Sequence, residues 1–483
     1  MESIGDLVAA DDVLLFVNAA VTATGQREFH SSAGAQTLSL DFLHAYMVGN
    51  YRDLYAGVLA LDINDHNAAI VVRRLLETTG EATAAQRRRE GRLIAARLTA
   101  MPPQRVYRLF DTLRRARVNN RRTRAVVRDW LTARPDLAFD AVKYRGALKR
   151  ALRHAHLLPP GGELGDFLFK PSARPHYATP VLETWRRAHH DKSALYGLPY
   201  TAAEGFAARH GIPREVFLER IAPRLTRAET LRLQGSARRH GADAVRTDLS
   251  RMPLTRLASY VLSLPLEERA HRRAELTEAL AAAAGRVVGP RRGSWGKVAA
   301  VLDDSFSASG SGEKRRRPLA VALAAHHLLA ALAEEYTALW TSGCEDALLA
   351  YPFGPTPLGR RVLDALDTAP SRLVIVSDGW DNAPPGLAAE VLRVWRTRLD
   401  PSRRTSVVHL NPVYDASGFD VRRLSPTVPT AGIRDAEDLP ALVEIAQFAE
   451  GRTGPAGLTA YLDARAARLT GAGASPEDAE DTT

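Results

Sequence analysis

From about residue 38 to 285, apolar residues recur at helical spacing and alternating β-branched runs are nearly absent. RVYRLFDTLRRARV places Val106, Leu109, Phe110, Leu113 and Val118 on or near one face, as an amphipathic helix requires. TRAVVRDWLTARPDLAFDAVKYRGALKRALRHAHLLPP, residues 123–160, reads as two helices, broken near Pro135 and stopped by Pro159-Pro160. PREVFLERIAPRLTRAETLRLQGSARRHG repeats the theme, with Gly241 as a helix C-terminal cap. Short antiparallel helices sustained over so long a stretch predict an α-helical solenoid of HEAT-like repeats over residues 1–285, although no strict repeat period is present.

The pattern changes at GRVVGPRRGSWGK, whose residues 286–296 read as a linker. Beyond it, strand-like runs alternate with helical ones. KVAAVLDD, a weaker ALLAYPFG, RLVIVSDG and TSVVHLNPVY read as strands. RPLAVALAAHHLLAALAEEYTALW, PLGRRVLDALDTA and GLAAEVLRVWRTRL read as helices, with two more helices near the end. Strand–helix alternation predicts a doubly wound parallel, Rossmann-like sheet over 297–470, so the fold class is α plus α/β. Residues 471–483, ending in SPEDAEDTT, read as a disordered acidic tail.

Charge sharpens the division. The chain has 483 residues, long enough for two domains, and a formal charge of +10. Between Arg87 and Arg153, 20 Lys or Arg residues face five acids, an excess of 15 that exceeds the net charge of the whole chain. A basic block so segregated is the electrostatic footprint of a polyanion partner. No run approaches the roughly 18 apolar residues of a membrane span, and the N-terminus lacks the basic region of a signal peptide. The single cysteine, Cys344, excludes an intramolecular disulfide and a thiolate-rich zinc site. A cytoplasmic monomer without membrane association is expected.

Candidate chemistry gathers where predicted strands end. VAAVLDDSFSAS, residues 298–309, runs from apolar residues straight into carboxylates and hydroxyls. In a parallel sheet such ends face the ligand crevice. Asp303, Ser305 and Ser307 follow the first strand, Thr356 the second, and Asp378 the third. Two carboxylates and three hydroxyls, with no His or Cys nearby in sequence, suit a hard divalent cation such as Mg²⁺ with an open coordination position. A serine nucleophile would need a base closer than His326-His327, and GSGEKRRR lacks the spacing of a phosphate-binding loop. No enzymatic reaction is expected.

The D-x-S-x-S spacing from Asp303 to Ser307, with Thr356 and Asp378 in that order, resembles the von Willebrand factor A domain and its metal-ion-dependent adhesion site. A second resemblance lies in the helical half. Residues 121–160, with Trp130, Lys143-Tyr144-Arg145 and His156 before Pro159, and SRMPLTRLASYVLSLP at 250–265, resemble TROVE-domain proteins, the Ro autoantigen family. That resemblance implies a ring of helical repeats beside an A domain, binding small structured RNA on its basic outer face and single-stranded RNA ends through its hole. Lys143, Arg145 and His156 fall where the family places RNA contacts.

Independently of that likeness, Arg121, Arg122, Arg124, Lys149, Arg150 and Arg153 would contact phosphates if they share a surface. Trp130 and Tyr144 read as core aromatics ahead of stacking platforms. The expectation is a ribonucleoprotein component acting in RNA scaffolding or quality control. The alternative is a protein-binding adaptor whose metal grips an acidic residue of a partner, as in ATPase-linked bacterial systems.

Overall fold

The structure, a computed structural model, describes residues 4–158, 160–171, 174–226, 229–230, 232–233, 236–237, 240–241, 248–439 and 455–471. Pro159, the expected helix within 440–454 and the acidic tail beyond 471 lie outside the described residues. The chain forms two compact units, residues 75–248 and residues 1–74 with 249–483.

The 75–248 unit is helical. Its helices are α5 (Ala84–Ala100), α6 (Pro103–Arg115), α7 (Arg121–Thr132), α8 (Leu137–Lys143), α9 (Arg145–His154), α10 (Gly162–Phe169), α11 (Pro180–Arg187), α12 (Tyr200–Arg209) and α13 (Arg214–Ile221). Local chemistry fixes their ends. Thr83 and Gln86 form a reciprocal capping box at α5, Asn120 caps α7 through the Thr123 amide, and Asp136 caps α8 through that of Phe139. α6 and α9 both stop with a left-handed residue, Arg117 and His156, after which Val118 and Leu157 donate back to Leu113 and Leu152. This double closure satisfies the last carbonyls of each helix. Neighbouring helices pack in pairs, α5 on α7 and α6 on α9, over a core of Val106, Leu109, Phe110, Leu113, Val127 and Leu148. Trp130 belongs to that core, 7 % exposed, with its indole N–H on the Leu98 carbonyl.

The other unit holds a five-stranded, wholly parallel sheet. Its strands are β1 (Lys297–Leu302), β2 (Glu335–Trp340), β3 (Arg372–Val376), β4 (Ser406–Asn411) and β7 (Thr430–Gly432), in the order β2-β1-β3-β4-β7. A short antiparallel pair, β5 (Tyr414–Asp415) and β6 (Asp420–Val421), lies between β4 and β7 in the chain. Side chains alternate across β1. Ala299 and Val301, with Ile375 and Val407, pack against α18 (Leu358–Asp367) and α19 (Leu387–Val394), while α17 (Arg317–Leu332) packs on β1 as well. Helices on both sides bury the sheet, which is why β1, β3 and β4 read as continuous apolar runs.

Three expectations differ from the structure. The helix after β1 ends at Leu332, and EYTALW, expected to continue it, is strand β2. Its alanine, leucine and glutamate favour a helix locally, but pairing with β1 overrides propensity. ALLAYPFG, expected as that strand, begins with a single 3₁₀ turn, Ala347–Leu349. The division near residue 286 also differs from the compact units. α17 is buried nearly all round, so it needs cover on its outer side. α14 (Leu254–Ser263) and α16 (Arg273–Val288) supply it. Between them, α15 (Leu266–His271) carries Arg269, 2 % exposed, which donates to the carbonyls of Leu264, Leu348 and Ala350. The N-terminal helices belong here too. They are α1 (Ile4–Thr22), α2 (Ala33–Asn50), α3 (Arg52–Gly57) and α4 (Asp65–Glu77), the last spanning the junction, and α1 packs along β6 and β7. Among the described residues, no helix is long and apolar enough to cross a membrane.

Buried histidines make this unit sensitive to acid. His44 lies fully buried between Tyr55 and Asn67, and burial pushes its pKa down to about 3. Burial likewise holds His326 at about 4 and His327 at about 3. Below the ordinary histidine value the unfolded chain takes up protons that the fold refuses, so stability is full above pH ~6.5 and falls as pH drops towards 4. Each such histidine costs about 1.4 kcal/mol per pH unit in that window. Buried carboxyls of the same unit that are raised, such as Asp303, act with the opposite sign, so the histidine share is read by difference: in thermal melts at pH 7.5 and 5.0, His44→Gln should lose less Tm between the two than the unaltered protein, by the uptake of one proton.

Candidate cation site and basic cleft

The chain runs from β1 to β2 on one side and then to β3 on the other, so β1 and β3 flank the switch point of the sheet. Loops at the carboxyl ends of such strands diverge and leave a crevice. Asp303 continues the ladder, its amide donating to the Val376 carbonyl at 3.0 Å. Its carboxylate accepts the Ser305 amide at 2.9 Å, turning the chain into a 3₁₀ turn, Phe306–Ser309. That turn brings the Ser307 hydroxyl 3.3 Å from the Ser305 hydroxyl. Asp304 serves a different purpose, since its carboxylate accepts from Thr341 and Ser342 and ties the end of β1 to the end of β2.

Two more loops close on the first. Phe306 N–H donates to Gly354 O and Phe353 N–H to Asp304 O, both at 3.0 Å. The Thr356 amide donates to the Asn382 side chain at 2.8 Å, joining this loop to the one after β3. There Asp378 accepts the Trp380 amide at 3.0 Å. Gly379, at φ +78°, lies so close to the Arg422 carbonyl that a Cβ would sit 2.7 Å from it. Asp303, Ser305, Thr356 and Asp378 are each 4 % exposed or less, and Ser307 is half-buried.

Burial raises the Asp303 carboxyl far above the ordinary carboxylate range, and the nearby Asp378 charge raises it further. Among the described residues neither carboxylate has a lysine or arginine partner; Asp378 faces the His30 imidazole at 3.5 Å. Two buried carboxylates with adjacent hydroxyls and no cationic side chain form a donor set suited to a hard divalent cation. Among the described residues, no three His, Cys, Asp or Glu side chains group as ligands, so hydroxyls would have to complete this shell. His30, Thr341, Trp380 and Asn382 were not among the residues expected at the site. Asn382 was within reach of sequence reasoning, in the same SDGWDN loop as Asp378, whereas no sequence signal links His30 to a strand end far along the chain.

The predicted basic residues divide by what holds them. Arg122 donates to Glu90 at 2.6 Å and to the Arg87 carbonyl; Glu90 is 1 % exposed. Arg122 is therefore a structural partner of α5. Arg121 and Arg124 sit exposed on the first turn of α7, with Arg124 donating to Asn119. Lys143 pairs with Glu229 at 3.3 Å, and Arg150 with Asp111 at 2.9 Å. The Arg145 guanidinium lies between the rings of Phe167 and Trp185 at 4.7 and 4.9 Å, donating to the Phe167 carbonyl. Lys149 and Arg153 follow one and two turns on, both over Phe169 at 5.4 and 5.6 Å. His156 uses its backbone to end α9 and leaves its ring exposed.

A cleft of about 510 Å³ opens beside this stripe, lined by Lys143, Arg145, Arg150, Trp185, Phe206 and Arg209 among others. Arg209, which was not expected, bonds the neutral His189 ring at 2.8 Å. The structure thus brings Lys143, Arg145 and Arg150 to one cleft and strings Lys149 and Arg153 along α9, whereas Arg121 and Arg124 lie on α7. No protein-family model matches the chain, and no curated protein matches it.

Arg122→Ala takes a charged hydrogen-bond partner away from a carboxylate that is 1 % exposed, which costs about 3 kcal/mol. Arg122→Ala should therefore lower hydrogen-exchange protection of residues 84–100 and 121–132 by about two orders of magnitude, and Arg124→Ala should leave it unchanged.

Proposed function

We propose that this chain is an RNA-binding protein of the TROVE type, built from a HEAT-like helical unit and a von Willebrand A-like unit that holds a divalent cation. The observation that carries the RNA reading is the cationic stripe Arg145–Lys149–Arg153 beside a cleft with aromatic walls. Guanidinium and ammonium groups on one helix face suit a phosphate backbone, and the half-buried Trp185 in the cleft wall offers ring surface to an unpaired base. Such a surface reads shape and charge, in keeping with small structured RNA and single-stranded ends as ligands. The cation reading rests on the paired carboxylates Asp303 and Asp378 with the hydroxyls of Ser305, Ser307 and Thr356, and Mg²⁺ is the simplest occupant of an all-oxygen set.

Both readings meet one experiment. Fluorescence anisotropy with a small stem-loop RNA bearing a single-stranded end should show binding that weakens steeply between 50 and 200 mM salt, as in any phosphate-dominated complex. Lys149→Glu combined with Arg153→Glu should weaken binding at least tenfold and reduce the salt slope by about two. Asp303→Ala should abolish Mg²⁺ binding by calorimetry while RNA affinity changes less than about threefold, since the two sites lie on different compact units. Absence of RNA binding at 50 mM salt would overturn the RNA reading and favour the protein-binding adaptor.

A further inference from the structure

A second cavity, of about 370 Å³, lies within the unit that carries the sheet. Its lining combines three arginines, Arg269, Arg315 and Arg316, with the hydroxyls of Ser309 and Tyr351 and an apolar wall that includes Leu264. Among the described residues no carboxylate lines it. The acceptors that the described residues offer these guanidiniums are backbone carbonyls: Leu264, Leu348 and Ala350 for Arg269, and Leu262 for Arg316. Arg269 is buried and uses Nε and Nη1 on its three carbonyls, which leaves Nη2 without an acceptor among the described residues. Burial and the neighbouring Arg316 charge push its pKa down to about 10, the mark of a cationic pocket short of negative charge.

The backbone holds the other two arginines beside it. The Arg316 amide donates to the Ser309 carbonyl at 2.7 Å and closes the 309–316 loop. Gly310, at φ +66°, packs so tightly there that a Cβ would stand 2.3 Å from the Lys314 carbonyl. Arg316 is itself left-handed, at φ +54°, and Arg315 is exposed. Three guanidiniums without an acid suit a dianionic phosphate better than a carboxylate, which a single arginine fork already satisfies. The cavity is also of small-ligand size, with room for more than the phosphate group. Tyr351, 47 % exposed and 5.8 Å from the Phe353 ring, offers a flat face to the rest of such a ligand.

We infer that this cavity binds the terminal phosphate of a nucleotide, free or at the 5′ end of a strand, with Arg269 as its fixed donor and Arg315 and Arg316 as further contacts. Neither the cation reading nor the RNA reading is needed for this site, which shares no residue with theirs.

The test is calorimetry on the full-length protein in phosphate-free buffer, with adenosine 5′-monophosphate as the probe. It should bind about tenfold more tightly than adenosine, and inorganic phosphate should compete with it. Arg315→Glu and Arg316→Asn should each weaken its binding about tenfold, asparagine being chosen because it tolerates the left-handed backbone. A 5′-phosphorylated dinucleotide is then titrated into protein carrying Lys149→Glu and Arg153→Glu, which silences the basic cleft. An affinity within about tenfold of the mononucleotide's makes strand ends a source of the phosphate, and a weaker one restricts the site to free nucleotides. Mononucleotide binding no tighter than that of adenosine, or undiminished in either arginine variant, overturns the site and leaves the cation and RNA readings standing.

Discussion

Two carboxylates that repel each other in a buried crevice set the terms for this unit. Leu302 and Val376 stand opposite each other in the β1–β3 register, and Asp303 and Asp378 follow one and two residues later. Because the strands are parallel, both chain ends leave the sheet in the same direction and cannot be turned apart. Their charges are met by dipoles: the Ser305 amide, the Trp380 amide and the hydroxyls arranged around them. Dipoles alone leave the Asp303 carboxyl raised, so the crevice favours either a proton or a cation. The three loops interlock through Phe306, Phe353 and Asn382, which holds these oxygen donors still.

What was legible in the sequence follows the range of the forces involved. Strand ends could be read because a buried parallel strand is a run of apolar residues, and the first polar residue marks where it leaves the core. Thus Asp303 and Asp378 could be placed from pattern alone. β2 could not. EYTALW has no β-branched run, and no proline or glycine separates it from the preceding helix. Only its partner β1 makes it a strand. Among the basic residues, composition showed an excess of charge but not its uses. Arg122 and Arg124 sit two positions apart on α7, yet one holds a buried glutamate and the other stays exposed.

The boundary between units was obscured for a related reason. A solenoid reading treats every short helix before residue 285 alike, since each has one apolar face. The decisive signal lay further on, in PLAVALAAHHLLAAL, which is apolar on all sides. One side packs on the sheet, and the other requires a second layer of helices, which α14 and α16 provide. Arg269 then fastens this layer to the 348–350 loop by charged hydrogen bonds to carbonyls that would otherwise be buried unpaired.

The N-terminal helix is drawn into the same unit by the exposed edge of the sheet. β7 is three residues long and ends the sheet, leaving backbone groups that need a partner or a cover. Asn18 of α1 supplies both. Its side chain accepts the Gly432 amide at 2.8 Å and donates to Asp420 at 3.0 Å. Gly432 has no room for a larger residue, because a Cβ there would stand 2.8 Å from the Asn18 carbonyl. α1 is therefore held against β6 and β7, one turn before the loop that carries His30. The need to cover an edge strand thus fixes where that loop begins, and Lys314 and Ser311 fix its path from there to Asp378. A histidine remote in sequence reaches the Asp378 carboxylate because the same sheet that creates the crevice also requires the helix leading to it.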